Sequence, residues 1–306
     1  MRVWTIGAGG LIGSAVDAAS SERFRADPVP WSDPDGAVTS LATSLSRFVA
    51  ETGSEPWAIV WAAGAATVSA SDEQADREAD VFRRFAEHIS NSALPERGAF
   101  FLCSSAGGVH AGSAHPPFTD TTPPAPISPY GRARLAQEES AAALIGERWP
   151  VILGRLSNVY GPGQNLTKLQ GLVSRLAVCS VTRVPLNLFV PLSTVRDYIY
   201  VTDAAAAVHA WLSEAHRDGT PGARVRIIAS GQATSVGQLV RTAQDVGHRR
   251  VPIAMGSHPS AGRQAPDLRF IPSALPDGMP LPSTSLPVGM KSVFDDIRWR
   301  LQTAIA

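Results

Sequence analysis

The chain has 306 residues, 44% of them hydrophobic, with Lys+Arg and Asp+Glu equal at 27 each. That length and apolar content suit one large domain or two modest ones with a well-buried core, and formal neutrality argues against nucleic acid as a partner and against an acidic solvating tail. Cys103 and Cys179 lie outside any CxxC, and no histidine stands at zinc-ligand spacing around them, so neither a disulfide framework nor a bound metal is expected.

In chain order, VWTI (3–6) reads as a short apolar strand. The chain enters it without room for a charged leader, and no apolar run approaches the roughly 18 residues of a membrane span; a cytoplasmic protein with no membrane partner is expected. GAGGLIG (7–13) then turns into a helix at SAVDAAS. PVPWS (28–32) is the expected second strand, shortened by its prolines. Residues 35–53 carry apolar side chains at helical spacing and close on Gly53. WAIVWAAG (57–64) is a buried strand, residues 72–93 a charged amphipathic helix, and GAFFLCSSAGG (98–108) a strand with a serine and glycine exit. A proline-rich loop (110–129) leads into a long helix from Tyr130 to Arg148, and VILGRLSNVYGPGQ (151–164) is a strand leaving into a Gly/Pro loop. Beyond it the pattern is less regular. Residues 195–201 and 224–230 read as strands, 202–215 and 235–247 as helices, 256–288 as a surface wrap, and 291–306 as a closing amphipathic helix. Strands alternating with helices specify an α/β fold with a parallel sheet covered on both faces.

Gly7, Gly10 and Gly13 form GxxGxxG at a strand-to-helix turn. A tight turn, close backbone approach to a pyrophosphate and close packing of helix on strand each exclude side chains, and the strand–turn–helix context is the one a dinucleotide site requires. Leu11 and Ile12, within the same turn, join the expected cofactor contacts. An acidic residue about 20 positions on binds adenosine ribose hydroxyls, whereas a basic one admits a 2′-phosphate. Asp33 stands near that place, which favours NAD with NADP as the alternative; the competing reading is that Asp33 caps the helix that follows. Ala62, Ala63 and Gly64 end the next strand, where small residues either let a cofactor lie on the sheet edge or simply pack closely.

Taken together, TIGAGGLIGSAV, IVWAAG, LCSSAGGVHAG, PISPYGRARLAQE, GRLSNVYGPGQ and VRDYIYVTDAA resemble the extended short-chain dehydrogenase/reductase superfamily, most closely its NAD-dependent epimerase/dehydratase family acting on nucleotide sugars. The resemblance covers nearly the whole chain. It implies a Rossmann-type doubly wound parallel sheet spanning residues 1–160, with a return segment near 195–212. A smaller, discontinuous C-terminal substrate domain would be built from 161–194 and 213–306. By the same resemblance Tyr130 is the acid–base, Ser105 or Ser104 its hydroxyl partner, Asn158 and Arg196 hold the substrate pyrophosphate, and Arg263 also reaches the nucleotide. Relatives pair through helices corresponding to 72–93 and 130–148, so a homodimer is implied. His110 replaces a tyrosine common in this loop, which points to an altered sugar pocket.

Arg134 occupies the position of the family's lysine, in a chain whose only lysines are Lys168 and Lys291. Ionising a free tyrosine at pH 7 costs about 4 kcal/mol, and a neighbouring cation supplies part of that. Residues four apart on a helix share a face, so Tyr130 and Arg134 are expected side by side over the cofactor. Arginine keeps the charge but is longer and planar. The expected function is NAD-dependent epimerisation of a nucleotide-activated sugar at C4 by reversible hydride transfer. The alternatives are an NAD(P)H-dependent ketoreductase of deoxysugar synthesis and a non-catalytic dinucleotide-binding sensor or scaffold. The family's dehydratases carry an acidic pair beside the catalytic hydroxyl, which SSAGG lacks.

Overall fold

The computed structural model describes residues 1–166, 171–256, 264–276 and 283–303. In chain order its elements are β1 (Arg2–Ile6), α1 (Leu11–Ala19), β2 (Glu22–Arg23), α2 (Pro34–Thr52), β3 (Trp57–Trp61), α3 (Asp72–Ser90), β4 (Gly98–Ser105), α4 (Ala106–Val109) and α5 (Pro129–Ser140). There follow β5 (Pro150–Leu156), β6 (Asn158–Tyr160), α6 (Leu172–Thr182), β7 (Leu186–Leu188), β8 (Val195–Tyr200), α7 (Val201–Asp218), β9 (Gly222–Ile228), β10 (Ala233–Ser235), α8 (Val236–Gly247), β11 (Ile253–Met255) and α9 (Leu286–Thr303).

Six parallel strands form the main sheet in the order β2-β1-β3-β4-β5-β9. Among the described residues this is the doubly wound dinucleotide order without a strand beyond β2 and with β9 added at the opposite edge. The central strands, such as β3 and β5, are buried along their whole length because both faces are covered, whereas the edge strands β2 and β9 carry charged residues. Trp57, Ile59 and Trp61 face a core shared with Leu41, Phe48, Phe82 and Phe85 of α2 and α3. Ala58 and Val60, one residue out of phase, face the core of α1 and α7 with Val16, Val208 and Leu212. α1 covers one face and α2, after β2, the other, and the strand order reverses about β1, so β1 and β3 flank the crevice at the carboxyl ends of the strands where such sheets hold ligands.

A third core gathers Leu176, Leu239, Phe294 and Ile297 from α6, α8 and α9. Beside it lie two small sheets, β10-β8-β6 and β11-β7. Ser235 opens α8 with a capping box completed by Gln238. Among the described residues no helix is long and apolar enough to cross a membrane.

Three expectations are corrected. Residues 28–32 are not a strand; β2 is Glu22–Arg23, registered on Arg2 and Val3, because Pro28 and Pro30 carry no N–H for a ladder. The boundary at residue 213 fails, because α7 continues to Asp218 on the main sheet and β9 pairs along β5 as the sheet's edge strand. The long helix from 130 ends sooner, with α5 passing into a π-helical turn at Ala141–Ile145.

Candidate active site

The turn after β1 is built for close approach. Gly7 has φ +91°, and a Cβ there would lie 2.6 Å from the Ala63 nitrogen. A Cβ on Gly13 would overlap the Gly7 carbonyl. Ala62 N donates to the Ile6 carbonyl at 2.8 Å, so the small residues after β3 seat the turn. Gly10 differs: a Cβ there meets only the Gly7 oxygen at 3.4 Å, and Gly9 has nothing within 4 Å. The fold therefore requires glycine at 7 and 13 but leaves Gly10 facing open space. Gly10 caps α1, which has neither a side-chain cap nor an acidic residue in its first turn, and Leu11 and Ile12 begin that helix. Its free N–H groups and positive dipole end are left for an anion.

Asp33 is exposed at the N-cap of α2, where its side chain makes no capping bond. In the same loop Trp31 is 46% exposed and meets Trp61, the last residue of β3, edge-on at 6.0 Å. Arg25 pairs with Asp17 at 2.9 Å and Arg47 with Asp27 at 2.9 Å, so the cations beside β2 already have carboxylates.

Tyr130 enters α5 behind Ser128, whose side chain caps the helix through the Gly131 amide. One turn on, the Arg134 Cζ lies 5.1 Å from the Tyr130 ring centroid. The guanidinium does not stand alone. Nη2 donates to Glu78 Oε1 of α3 at 2.8 Å and Nη1 to Gln137 Oε1 at 2.9 Å. Nη2 also fills the space that a Cβ on Gly64 would need, so Gly64 is glycine because the arginine lies against it. Burial works against the charge on Arg134, but Tyr130 and Glu78 outweigh it and hold the group above the usual arginine range.

Adjacent strand residues face opposite ways, and this separates the two serines. Ser105 caps α4 by accepting the Gly108 amide at 3.1 Å. A Cβ built on Gly108 would lie 3.0 Å from Tyr130 Cε1 and 3.2 Å from Ser105 Oγ, which places both beside the same glycine. Ser104 points the other way, is buried, and donates to Glu138 Oε1 at 2.5 Å. The structure thus brings Ser105, not Ser104, to Tyr130.

Glu138 anchors a buried polar network beneath the site. Arg155 of β5 donates to its carboxylate through Nη2 at 2.7 Å and through Nε at 3.1 and 3.2 Å. Arg155 Nη1 lies 3.2 Å from His110 Nε2, while His110 Nδ1 lies 3.2 Å from Ser113 Oγ. Burial, with the adjacent Arg155, pushes the His110 pKa down to about 4. His110 is fully buried and stacks on Phe118 at 5.3 Å, so it braces β4 and β5 from within rather than lining a sugar pocket.

The phosphate candidates lie around β8. Arg196 is 9% exposed and donates Nη1 to its neighbouring Val195 carbonyl at 2.8 Å. Among the described residues no carboxylate lies within ion-pair distance of it. Asp197 is committed elsewhere, to Ser157 Oγ at 2.6 Å, the Ser230 amide and hydroxyl at 2.9 Å and the Gln232 amide at 3.1 Å. Burial depresses the Arg196 pKa, against the pull of Tyr198 and Asp267. A desolvated guanidinium of this kind favours an incoming anion. Asn158 is exposed and donates Nδ2 to the Asp197 carbonyl at 2.8 Å. Arg263 lies outside the described residues. Gln264, which follows it, borders a cavity of about 180 Å³ with Arg175, Asn187 and Phe189, and the chain runs on to pair Pro266 and Leu268 with Val195. Sequence reasoning missed this cavity and also Glu78.

Comparison with known proteins follows the same outline. A dTDP-L-rhamnose 4-epimerase of Burkholderia thailandensis is 35% identical over 129 residues, a match covering 41% of this chain and 34% of that protein. The chain therefore spans about a third of the length of that curated relative. Among solved structures, UDP-glucuronic acid 4-epimerase from Bacillus cereus, complexed with UDP-glucuronic acid and NAD, superposes with a TM-score of 0.77 at 19% identity, covering 98% of this chain and 100% of that one. RMD from Pseudomonas aeruginosa, complexed with NADPH, gives 0.77 at 20% identity over 98% and 99% of the two chains. At these identities the likeness is one of fold. The profile of the NAD dependent epimerase/dehydratase family matches residues 6–227, and the chain belongs to that family.

Proposed function

We propose that this protein is an NAD-dependent epimerase of a nucleotide-activated sugar, acting at C4. The observation that carries the reading is the convergence of Tyr130, Ser105 and the Arg134 guanidinium at the carboxyl edge of the sheet, beside a glycine turn whose middle residue faces open space. The residues fit the cofactor: Gly10 and the open end of α1 suit its pyrophosphate, and Ala62, Ala63 and Gly64 leave the sheet edge low. Bound there, NAD supplies a reversible hydride acceptor. Asp33 near the ribose position, with the surrounding arginines already paired, supports NAD over its 2′-phosphorylated form. The exposed face of Trp31 offers the adenine a stacking surface.

Tyr130 takes the proton of the sugar C4 hydroxyl as the carbon is oxidised, and Ser105 bonds the same oxygen. Arg196, with Asn158 and Arg263, holds the diphosphate while the keto sugar turns. Tyr130 then returns the proton to the oxygen on the other face. Turnover of a panel of nucleotide sugars with product identification tests the activity, and no conversion of any of them sinks it. A ketoreductase is the second reading. Net consumption of added reduced cofactor identifies it, because an epimerase returns its hydride.

Gly10→Val is expected to abolish NAD binding and leave the fold intact. The φ of −86° at Gly10 suits any residue, so the new side chain occupies pyrophosphate space and little else. Calorimetric titration with NAD alongside circular dichroism checks this; unchanged affinity removes the dinucleotide site from residues 7–13.

We place the protein in the cytoplasm, where Cys103 and Cys179 stay as thiols. Pairing through α3 and α5 completes the proposal: the two helices lie side by side, and Ala79, Leu135, Ala136 and Ala143 keep part of their surface open. Light scattering at micromolar concentration should give twice 32.3 kDa, and a monomer ends the dimer proposal.

A further inference from the structure

The Glu78 carboxylate is fully committed. Oε1 accepts from Arg134 Nη2 at 2.8 Å, while Oε2 accepts the amides of Ala65 at 2.8 Å and Ala66 at 2.9 Å. The pair is well shielded, with side chains 7% exposed at Arg134 and 15% at Glu78. The loop after β3, helix α3 and helix α5 therefore meet at one guanidinium, directly beneath Gly64 and beside Tyr130.

An arginine is longer than a lysine and its fork has to be aimed. Glu78 and Gln137 hold it from opposite sides. Glu78 also brings a negative charge next to the cation that favours the Tyr130 phenolate, so the tyrosine faces a partly neutralised pair.

We infer that Glu78 is a positioning residue of the site: it aims Arg134 at Tyr130, tempers the charge the phenol sees, and ties both to the Ala65–Ala66 backbone. This rests on the reading of Tyr130 as the acid–base. The other ionisable groups around the pair are Cys103 of β4 and, one turn along α5, Glu138 with Arg155 and His110. Burial drives the Cys103 thiol up to about 12 and His110 down to about 4, so both are neutral through the working range. Glu138 and Arg155 are paired with each other. Glu78 is thus the carboxylate among the described residues that acts directly on Arg134.

Glu78→Gln keeps the shape and an oxygen for one of the contacts and removes the charge. Two pH titrations read the outcome. One is the ultraviolet phenolate titration of the cofactor-free protein, as a difference from Tyr130→Phe so that Tyr200 cancels; burial pushes Tyr198 up to about 12 and Tyr160 higher, which keeps both out of the window. The other is kcat/KM against pH. Both midpoints should fall in Glu78→Gln, since the carboxylate that offsets the Arg134 charge is gone. Glu78→Ala should lower kcat with little change in KM, because Arg134 loses its aim. Unmoved midpoints in a folded Glu78→Gln protein overturn the inference and leave Glu78 as a loop fastener. If Glu78→Gln fails to fold, Glu78→Asp, which keeps the charge and shortens the reach, should leave the phenolate midpoint in place while lowering kcat; a shifted midpoint with unchanged kcat overturns the inference. The phenolate titration needs no turnover, so a protein inactive on every nucleotide sugar fails the epimerase reading while still deciding the role of Glu78.

Discussion

Tyr130→Phe should lower kcat/KM by about 10²–10⁴-fold, the span usual for one acid–base group. Ser105, Arg134 and the glycine turn remain in place in that variant, so cofactor and nucleotide-sugar affinities should hold. Arg134→Ala should also be slow, with the midpoint of its rate profile moved to higher pH, because the cation beside the phenol has gone. Arg134→Lys separates charge from shape. The arginine fork spans Glu78 on one nitrogen and Gln137 on the other, a geometry that an ammonium on a shorter stem does not reproduce. The lysine variant should therefore remain impaired although it restores the family's residue. Measurement of kcat/KM against pH for all three variants decides: parental activity in Tyr130→Phe removes the catalytic assignment, and a fully active Arg134→Lys removes the claim that the pocket is built around arginine.

Arg196→Ala should weaken binding of a nucleoside diphosphate by about 2–5 kcal/mol, the cost of removing one partner of a desolvated charge pair. The parent holds this guanidinium 9% exposed, with its pKa lowered by burial. A bound diphosphate would relieve that desolvation, so the penalty of burying the cation becomes affinity for the anion. NAD affinity should barely move, because β8 belongs to the small sheet with β6 and β10 and not to the turn after β1. Isothermal calorimetry with a nucleoside diphosphate tests this. Unchanged affinity assigns Arg196 to the fold, where it bonds the Val195 carbonyl and packs against the segment around Asp267.

Some of the site was legible in the sequence because it is local. The glycine turn and the spacing of Tyr130 and Arg134 are set by residues within one or two turns of each other. Strands and helices of the main sheet were legible for the same reason, since their apolar residues repeat at the periods that two-sided burial imposes. The second strand was displaced because the apolar Val29 and Trp31 look strand-like, while the residues that pair with β1 are the charged Glu22 and Arg23. The helix α6 and the short strands β7, β10 and β11 were not foreseen; each short strand spans only three residues, too few to display a period.

The amino-acid sequence by itself determined the α/β class, the glycine turn after β1 and the family to which the chain belongs. Only the tertiary structure decided which serine faces Tyr130, because neighbouring residues of one strand point to opposite sides and the packing of α5 on β4 selects between them. It alone turned His110 inward to Arg155 and moved β9 to the edge of the main sheet. It also supplied the partner of Arg134: Glu78 stands 56 residues earlier, on another helix, and its charge reaches the site only because α3 and α5 lie side by side. Periodicity records which face of an element is buried, but an ion pair between two elements depends on how they pack, and that is written in neither segment alone.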